Sequence, residues 1–167
     1  MIINSYDIIS FTDLSYIQKA MILRWRNDIS IRKWMYNNEP INISEHLNFI
    51  QNLETKKFDK YFLVSKGYNN IGIIYLNNIN YEKKSAALGL YKNPFLQRGG
   101  YGTILLELLI HYSFHYLFLQ NLKLEVFEKN QKAIKLYKKF GFSIIKKDDN
   151  TIFMQLKKSE YEKIDKT

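Results

Sequence analysis

The most informative segment of the chain reads Gln97-Arg98-Gly99-Gly100-Tyr101-Gly102-Thr103 and connects a predicted strand to a long predicted helix. Glycines at such a junction let backbone N–H groups turn toward one point, and the helix adds the positive end of its dipole. Both features favour an anion such as a pyrophosphate. The segment is not a Walker A loop, because no Lys precedes Thr103, and Leu105 stands where a dinucleotide fingerprint needs a small residue. A plain turn before a helix is the alternative.

A second motif follows one strand later and reads Asn130-x-x-Ala133-Ile134-x-x-Tyr137-x-x-x-Gly141-Phe142. This spacing places Asn130, Ala133 and Tyr137 on one face of a helix. Gly141 is a natural C-terminal stop for that helix, immediately before a strand.

The elements around these motifs follow from hydrophobic periodicity. It predicts helices at 14–26, 103–119 and 130–140, another helix with Ser44 as N-cap, and strands at 61–64, 71–79, 85–91, 122–127, 142–145 and 151–156. This order indicates one mixed α/β domain with a largely antiparallel sheet and helices on its faces. The charged segment 157–167 is predicted to be a frayed tail.

Charge and hydropathy restrict the classes of partner. The 167 residues include 25 basic and 16 acidic side chains, a net charge of +9, but the lysines are scattered. Scattered charge favours small anionic ligands over nucleic acid. The amino terminus lacks a secretory pattern, and the apolar stretch 104–119 is shorter than the ~20 residues that span a bilayer. We therefore expect a cytoplasmic protein with no membrane partner.

Neither a disulfide nor a metal site is expected. The chain has no cysteine, which excludes disulfides, thiolate metal ligands and a cysteine nucleophile. Glu107, His111 and His115 recur every four residues along one predicted helix. A solvated polar face explains this stripe better than a metal site does.

Together the two motifs resemble the GNAT superfamily of N-acetyltransferases over residues 61–156. The resemblance implies acetyl-coenzyme A (acetyl-CoA) as the donor and the GNAT fold, with a mixed, mostly antiparallel central sheet of about six to seven strands and helices on both faces. It implies one domain over 1–167, with acceptor-site helices in 1–58, an acetyl-CoA-binding core in 60–157 and a charged tail in 158–167.

The resemblance also implies roles for single residues. Backbone N–H groups of the glycine segment would hold the pyrophosphate, the Leu90 N–H would act as the oxyanion donor, and Tyr137 would be the general acid. The coenzyme-binding positions that it implies are Leu88, Leu90, Tyr91, Gln97, Arg98, Gly99, Gly100, Tyr101, Gly102, Thr103, Asn130, Ala133 and Tyr137.

One departure concerns the general base. Many members carry a Glu two residues before the glycine of the preceding strand, where this chain has Ala87. We predict that another residue or a water molecule accepts the proton, with Glu125 and Tyr75 as candidates. The missing carboxylate also disfavours a polycationic acceptor.

Short segments of the chain point to the acceptor. Arg24-Trp25-Arg26-Asn27, Trp34-Met35-Tyr36, His46-x-x-Phe49 and the stretch 90–96 resemble the N-acetyltransferases of pseudaminic acid biosynthesis. Those enzymes acetylate the 4-amino group of a UDP-linked 4-amino-4,6-dideoxy sugar. The likeness implies Arg26 and His46 near the diphosphate, and the predicted substrate-binding set is Arg26, Met35, Tyr36, His46, Phe49, Tyr91 and Glu125. Relatives carry Ser and Thr at the positions of Tyr75 and Asn77, so contacts from that strand are not carried over.

The same residues are compatible with other functions. The Trp-Arg-Asn triplet recurs in relatives that modify ribosomal proteins or polyamines, so a protein or polyamine N-acetyltransferase is the second hypothesis. A silent coenzyme A-binding or nucleic-acid-binding module is the third, and the presence of Tyr137 argues against it. Trp25, Trp34 and Met35 have the spacing of core residues, and a first-turn histidine such as His46 is usually exposed. The resemblance allows a homodimer.

Overall fold

The computed structural model describes residues 1–97 and 99–164, and its framework is a sheet of eight strands. The strands are β1 (Ile2–Ile3), β2 (Tyr6–Ser10), β3 (Lys60–Lys66), β4 (Asn69–Asn80), β5 (Ser85–Lys92), β6 (Asn121–Phe127), β7 (Ser143–Asp148) and β8 (Thr151–Lys157). They lie in the order β1-β2-β3-β4-β5-β6-β8-β7. The helices are α1 (Tyr16–Asn27), α2 (Ile29–Arg32), α3 (Ile43–Asn52), α4 (Tyr101–His111), α5 (Gln131–Lys139) and α6 (Lys158–Ile164).

The two faces of the sheet carry different helices. Side chains alternate along a strand, so β3 presents Leu63 to one face and Val64 to the other. Leu63 packs in a core with residues of α1 and α3, including Trp25 and Ile50. Val64 packs in a larger core with residues of α4 and α5. After the roles that the resemblance implies, we call the first side the acceptor face and the second the coenzyme face.

Within the described residues, β5 and β6 form the one parallel pair of neighbouring strands, and this pair is short. It runs from Ser85 opposite Asn121 to Ala87 opposite Lys123. Both strands continue beyond these residues, β5 to Lys92 and β6 to Phe127. The sheet therefore opens between β5 and β6 into a gap that is widest toward their carboxyl ends.

The predicted fold class is confirmed, with more strands than expected. The sheet is mixed and mostly antiparallel, with helices on both faces, but it has eight strands because β1 and β2 extend it at the amino-terminal edge. Segment 1–58 thus supplies two strands in addition to helices. β1 is only two residues long, and such a strand carries no readable hydrophobic period.

Two predicted helix boundaries were wrong. The helix that starts at the glycine segment ends at His111 and continues as a π-helical turn, where the Ser113 hydroxyl donates to the Leu109 carbonyl oxygen at 2.7 Å. The N-cap of α3 is Asn42, not Ser44, because its side chain forms a capping box with Glu45.

The segment predicted as a frayed tail is ordered as α6 up to Ile164. The ring of Tyr161 lies 5.9 Å from that of buried Phe114, so this helix contacts the core. Of the helices in the described ranges, none has the length and apolarity to cross a bilayer.

Candidate active site

The gap between β5 and β6 leaves backbone groups without a partner strand. Beyond Ala87 and Lys123, the described strands face each other unpaired. Alternate N–H and C=O groups of such strands point sideways, and buried backbone groups need hydrogen-bond partners. Leu90 lies on this unpaired part of β5. An extended ligand that carries amide groups can satisfy these strand edges.

The side chains of the predicted coenzyme-binding strand divide between the two faces. Leu88 is buried in the core of the coenzyme face, and Leu90 packs against the same core. Tyr91 packs against the core of the acceptor face. The strand can therefore contact a ligand in the gap and an acceptor beside it.

The glycine segment forms the start of α4. Gly100 is the N-cap residue and has a φ of 91°, a left-handed conformation that favours glycine. A methyl group built on Gly99 would meet no described atom within 4 Å, so packing does not require glycine there. The N–H groups of Tyr101 and Gly102 are the first of the helix and have no acceptor within it. They suit an anion.

One of the predicted pyrophosphate ligands falls outside this arrangement. The Thr103 N–H donates to the Gly100 carbonyl oxygen at 3.0 Å, so it is already used within the segment. Arg98 lies outside the described residues. Gln97 is exposed at the entrance of the segment.

Helix α5 places the second motif beside the gap. The Asn130 Oδ1 atom caps the helix by accepting from the Ala133 N–H at 3.3 Å, and its Nδ2 group takes no part in that bond. Tyr137 is only 7% exposed, and its ring centroid lies 5.7 Å from that of Phe142. Burial raises the pKa of the Tyr137 phenol, which stays protonated at neutral pH. Tyr137 and Leu90 share the core of the coenzyme face.

The acceptor face beside the gap is lined by aromatic rings. The rings of Tyr61 and Tyr75 stack with their centroids 4.8 Å apart and an interplanar angle of 9°. Phe49 packs edge-on against Tyr61 with a centroid distance of 5.0 Å. Burial raises the pKa of Tyr61 to about 12 and also raises the pKa of Tyr75 and of Tyr91. These phenols are therefore neutral hydrogen-bonding groups, and the face presents them with apolar ring surface.

The loop that follows α2 brings Tyr36 to β6. The Tyr36 hydroxyl donates to the Glu125 Oε2 atom, and its ring packs edge-on against Phe127 at 5.5 Å. The hydrogen bond to Glu125, together with burial, raises the pKa of Tyr36 to about 12. The structure thus brings together two predicted substrate-binding residues that are distant in sequence. Met35, half-buried, precedes Tyr36 on the same loop.

Side chains from α1 and α2 hold that loop. Arg26 donates to the carbonyl oxygens of Asn37 at 2.6 Å and Glu39 at 2.8 Å. Arg32 donates to the Asn38 carbonyl oxygen at 2.6 Å. The Asn27 amide exchanges two hydrogen bonds with the Ile41 backbone, at 2.8 and 3.0 Å. We call Arg26, Asn27 and Arg32 the loop clamp.

The loop clamp changes the interpretation of Arg26, which was expected to face a diphosphate. Both terminal nitrogens of its guanidinium already bind loop carbonyls. No role was predicted for Arg32, and Asn27 was noted only as part of the Arg24–Asn27 segment, because carbonyl acceptors in an irregular loop leave no residue-type signal.

The expectation that a first-turn histidine such as His46 is exposed was wrong, whereas its place near a diphosphate stays a prediction. The side chain is 3% exposed, and its Nε2 atom lies 3.0 Å from the Lys19 carbonyl oxygen. Burial lowers the pKa of His46, so the ring is neutral at pH 7 and links α3 to α1. Trp25 is a core residue, as its spacing allowed, whereas Trp34 is exposed.

The predicted polar stripe runs from α4 into the π-helical turn. The rings of His111 and His115 lie 4.7 Å apart on this helix and the π-helical turn. No group of three His, Asp or Glu side chains in the described part of the chain could hold a metal ion.

The chain is similar to known acetyltransferases. The model of the acetyltransferase (GNAT) family matches residues 21–142. The chain is 36% identical over 151 residues to acetyltransferase PseH of Campylobacter jejuni strain 81-176, covering 90% of this chain and 93% of that protein. The crystal structure of C. jejuni PseH with acetyl coenzyme A matches with a TM-score of 0.77 and 34% identity over 92% of this chain and 99% of the other.

A spermidine N(1)-acetyltransferase from Escherichia coli K12 is 33% identical, but over only 52% of this chain and 46% of that enzyme. The Vibrio cholerae spermidine N-acetyltransferase, solved with CoA and spermine, superposes over 96% of this chain and 99% of the other, with a TM-score of 0.83 and 23% identity. At that identity the likeness concerns the fold alone.

Proposed function

This chain belongs to the acetyltransferase (GNAT) family and is an acetyl-CoA-dependent N-acetyltransferase, and from this premise we propose that its acceptor is a nucleotide-linked amino sugar. The reaction proposed is transfer of the acetyl group to the 4-amino group of a UDP-linked 4-amino-4,6-dideoxy sugar in pseudaminic acid biosynthesis. Acetyl-CoA supplies an activated thioester with a thiolate leaving group. The absence of cysteine suits direct attack by the amine, because no cysteine acyl-enzyme can form.

The described residues fit the donor. The N–H groups of Tyr101 and Gly102 would bind the pyrophosphate, beside the open space at Gly99. The unpaired edge of β5 would bind the pantetheine arm, and the Leu90 N–H would donate to the thioester carbonyl oxygen. Tyr137, buried beside the gap, would donate a hydrogen bond to the sulfur.

The observation that carries the proposed acceptor is the chemistry of the acceptor face. Phe49, Tyr61 and Tyr91 present apolar ring surface and phenol groups, which suit a sugar and a nucleobase. At the gap, the carboxylate of Glu125 is already bonded to Tyr36. A polyamine needs several carboxylates. The similarity to PseH over nine-tenths of the chain also supports this acceptor, because it includes the amino-terminal loop and helices.

Glu125 is the residue we propose as proton acceptor. Ala87 cannot take a proton, and Glu125 stands on the β6 side of the gap with one oxygen held by Tyr36. As the amine nitrogen bonds to the acetyl carbon, the second oxygen can receive the proton that the nitrogen loses, directly or through a water molecule. The C–S bond then breaks, and coenzyme A leaves as the thiolate.

A panel of amines tests the proposed acceptor. Release of free coenzyme A thiol from acetyl-CoA is measured with a UDP-4-amino-4,6-dideoxy sugar, spermidine and a basic peptide. We expect kcat/KM to be highest for the nucleotide sugar by roughly 10²-fold or more, the discrimination that several polar contacts provide. Partial similarity to spermidine acetyltransferases makes a polyamine the second candidate. Preference for spermidine or the peptide would overturn the proposal.

A further inference from the structure

Gly89 lies on β5 directly opposite Tyr75 on β4. A methyl group built on Gly89 would overlap the Cζ and Oη atoms of Tyr75, so the hydroxyl end of this phenol covers the Gly89 backbone. Gly89 has no left-handed φ that would itself call for glycine. The position therefore needs glycine because the Tyr75 phenol occupies the place of a side chain. We call this contact the phenol seat.

The phenol seat aims the hydroxyl at the gap. The Tyr75 ring extends from β4 across β5, and Gly89 comes just after Ala87, the last β5 residue that pairs with β6. The hydroxyl thus lies at the margin of the gap on the acceptor face, beside the strand position of Leu90. The Tyr75 ring stacks on the Tyr61 ring with a centroid distance of 4.8 Å and an interplanar angle of 9°, and this stacking fixes the plane of the Tyr75 ring. Tyr75 is also close enough to Tyr137 to contribute to the raised pKa of that phenol.

We propose that Tyr75 orients the acceptor: its hydroxyl oxygen accepts a hydrogen bond from the attacking amine, while Tyr137 donates a hydrogen bond to the sulfur from the coenzyme face. The inference rests on the proposed amine transfer but not on which amine is used. Burial raises the pKa of Tyr75, so the phenol is neutral and does not take the amine proton. That proton leaves through Glu125 or water. Tyr75 therefore acts by alignment of the nitrogen lone pair with the acetyl carbon.

The first test removes only the hydroxyl. Tyr75→Phe should lower kcat/KM for the amine by roughly 3- to 10-fold, the effect of one neutral hydrogen bond. KM for acetyl-CoA and the melting temperature should stay unchanged. The pH profile of kcat/KM should keep its shape, because Tyr75 is not the base. The matched control is Tyr112→Phe, which removes a buried phenol that packs on Phe62 instead of lying at the gap. Full activity in Tyr75→Phe, or an equal loss in Tyr112→Phe, would overturn the proposal.

The second test is a double-mutant cycle on the phenol seat. Gly89→Ala should displace the phenol and lower kcat/KM by about 10-fold or more in the wild-type background. In a Tyr75→Ala background the same substitution has no phenol to displace, and its effect should stay within about 2-fold, as for independent sites. Additive losses would show that Gly89 does not act through Tyr75. If Gly89→Ala fails to fold, the Tyr75→Phe result decides the proposal alone.

Both tests use whichever amine the wild-type protein acetylates fastest. Preference for spermidine over the nucleotide sugar would refute the proposed acceptor and still leave the role of Tyr75 decided by the cycle. If Tyr75→Phe acetylates an efficient acceptor with the same kcat/KM as the wild-type protein, the role of Tyr75 is refuted and the proposed acceptor is unaffected.

Discussion

Replacement of Tyr137 by Phe should lower kcat and leave KM for acetyl-CoA nearly unchanged. Tyr137 lies on α5, is 7% exposed and packs against Phe142, so the substitution keeps the buried ring and its contacts. It removes only the hydroxyl. If this hydroxyl acts on the sulfur as the C–S bond breaks, its contribution arises in the transition state, and such a loss appears in kcat.

The size of the effect follows from the acidity of the two groups. An unperturbed phenol has a pKa of about 10 and a thiol about 8.5, and burial raises the pKa of Tyr137 further. Complete transfer of the proton to the thiolate is therefore uphill. The phenol instead stabilises the developing thiolate by a hydrogen bond to a charged group, worth about 1.5–3 kcal/mol. That energy corresponds to a loss of roughly 10- to 160-fold in kcat.

The assay is release of coenzyme A thiol at saturating acceptor, compared with Tyr112→Phe. Tyr112 is 8% exposed in the core of the same face. Tyr112→Phe therefore measures how far kcat falls when a buried tyrosine hydroxyl outside the gap is removed. The stabilisation of each variant by acetyl-CoA in a thermal melt measures coenzyme binding separately. Full kcat in Tyr137→Phe would refute the reasoning, and so would an equal loss in the control.

Three other substitutions test the glycine segment, the loop clamp and a buried histidine. Gly99→Ala should keep the melting temperature but weaken stabilisation by acetyl-CoA, because the methyl group enters the open space at the anion site; an undiminished shift would contradict this. Arg26→Ala should free the loop that carries Tyr36 and raise KM for the acceptor by roughly 30-fold, equally for acceptors with and without a diphosphate, since the two lost hydrogen bonds are together worth about 2 kcal/mol. A loss confined to diphosphate acceptors would return Arg26 to anion binding. Burial lowers the pKa of His46, so as the pH drops below about 6.5 the unfolded state binds a proton before the folded state does. The free energy of unfolding should therefore fall over this pH range. Urea melts should show a smaller fall for His46→Gln than for the wild-type protein.

Elements with a strong local period could be predicted from the sequence. Helix α1, strands β3 to β6 and helix α5 match the predicted segments within a few residues. Their apolar residues repeat at helical or strand spacing, and their ends carry recognisable caps and glycines. Strand β2 was not predicted, because apolar and polar residues do not alternate cleanly along Tyr6-Asp7-Ile8-Ile9-Ser10 and the strand is defined by its pairing with β3. Tertiary contacts, which no local pattern encodes, created that strand.

The candidate site divides in the same way. The glycine segment and Tyr137 could be placed on their elements because their motifs have fixed spacing, whereas Leu90 was named only through the family resemblance. The meeting of Tyr36 with Glu125 depends on a loop that is held by backbone carbonyls, and the burial of His46 depends on the angle between α1 and α3. Tyr75 escaped a definite role because its place depends on a glycine across the sheet.

The most direct test of the whole account is the product made from the nucleotide sugar. The protein is incubated with acetyl-CoA and an equimolar mixture of a UDP-4-amino-4,6-dideoxy sugar and spermidine, and the products are analysed by mass spectrometry and NMR. We expect one acetyl group per nucleotide sugar, attached as an amide at the 4-amino nitrogen, with spermidine largely unmodified. Acetylated spermidine beside an unchanged nucleotide sugar would contradict it.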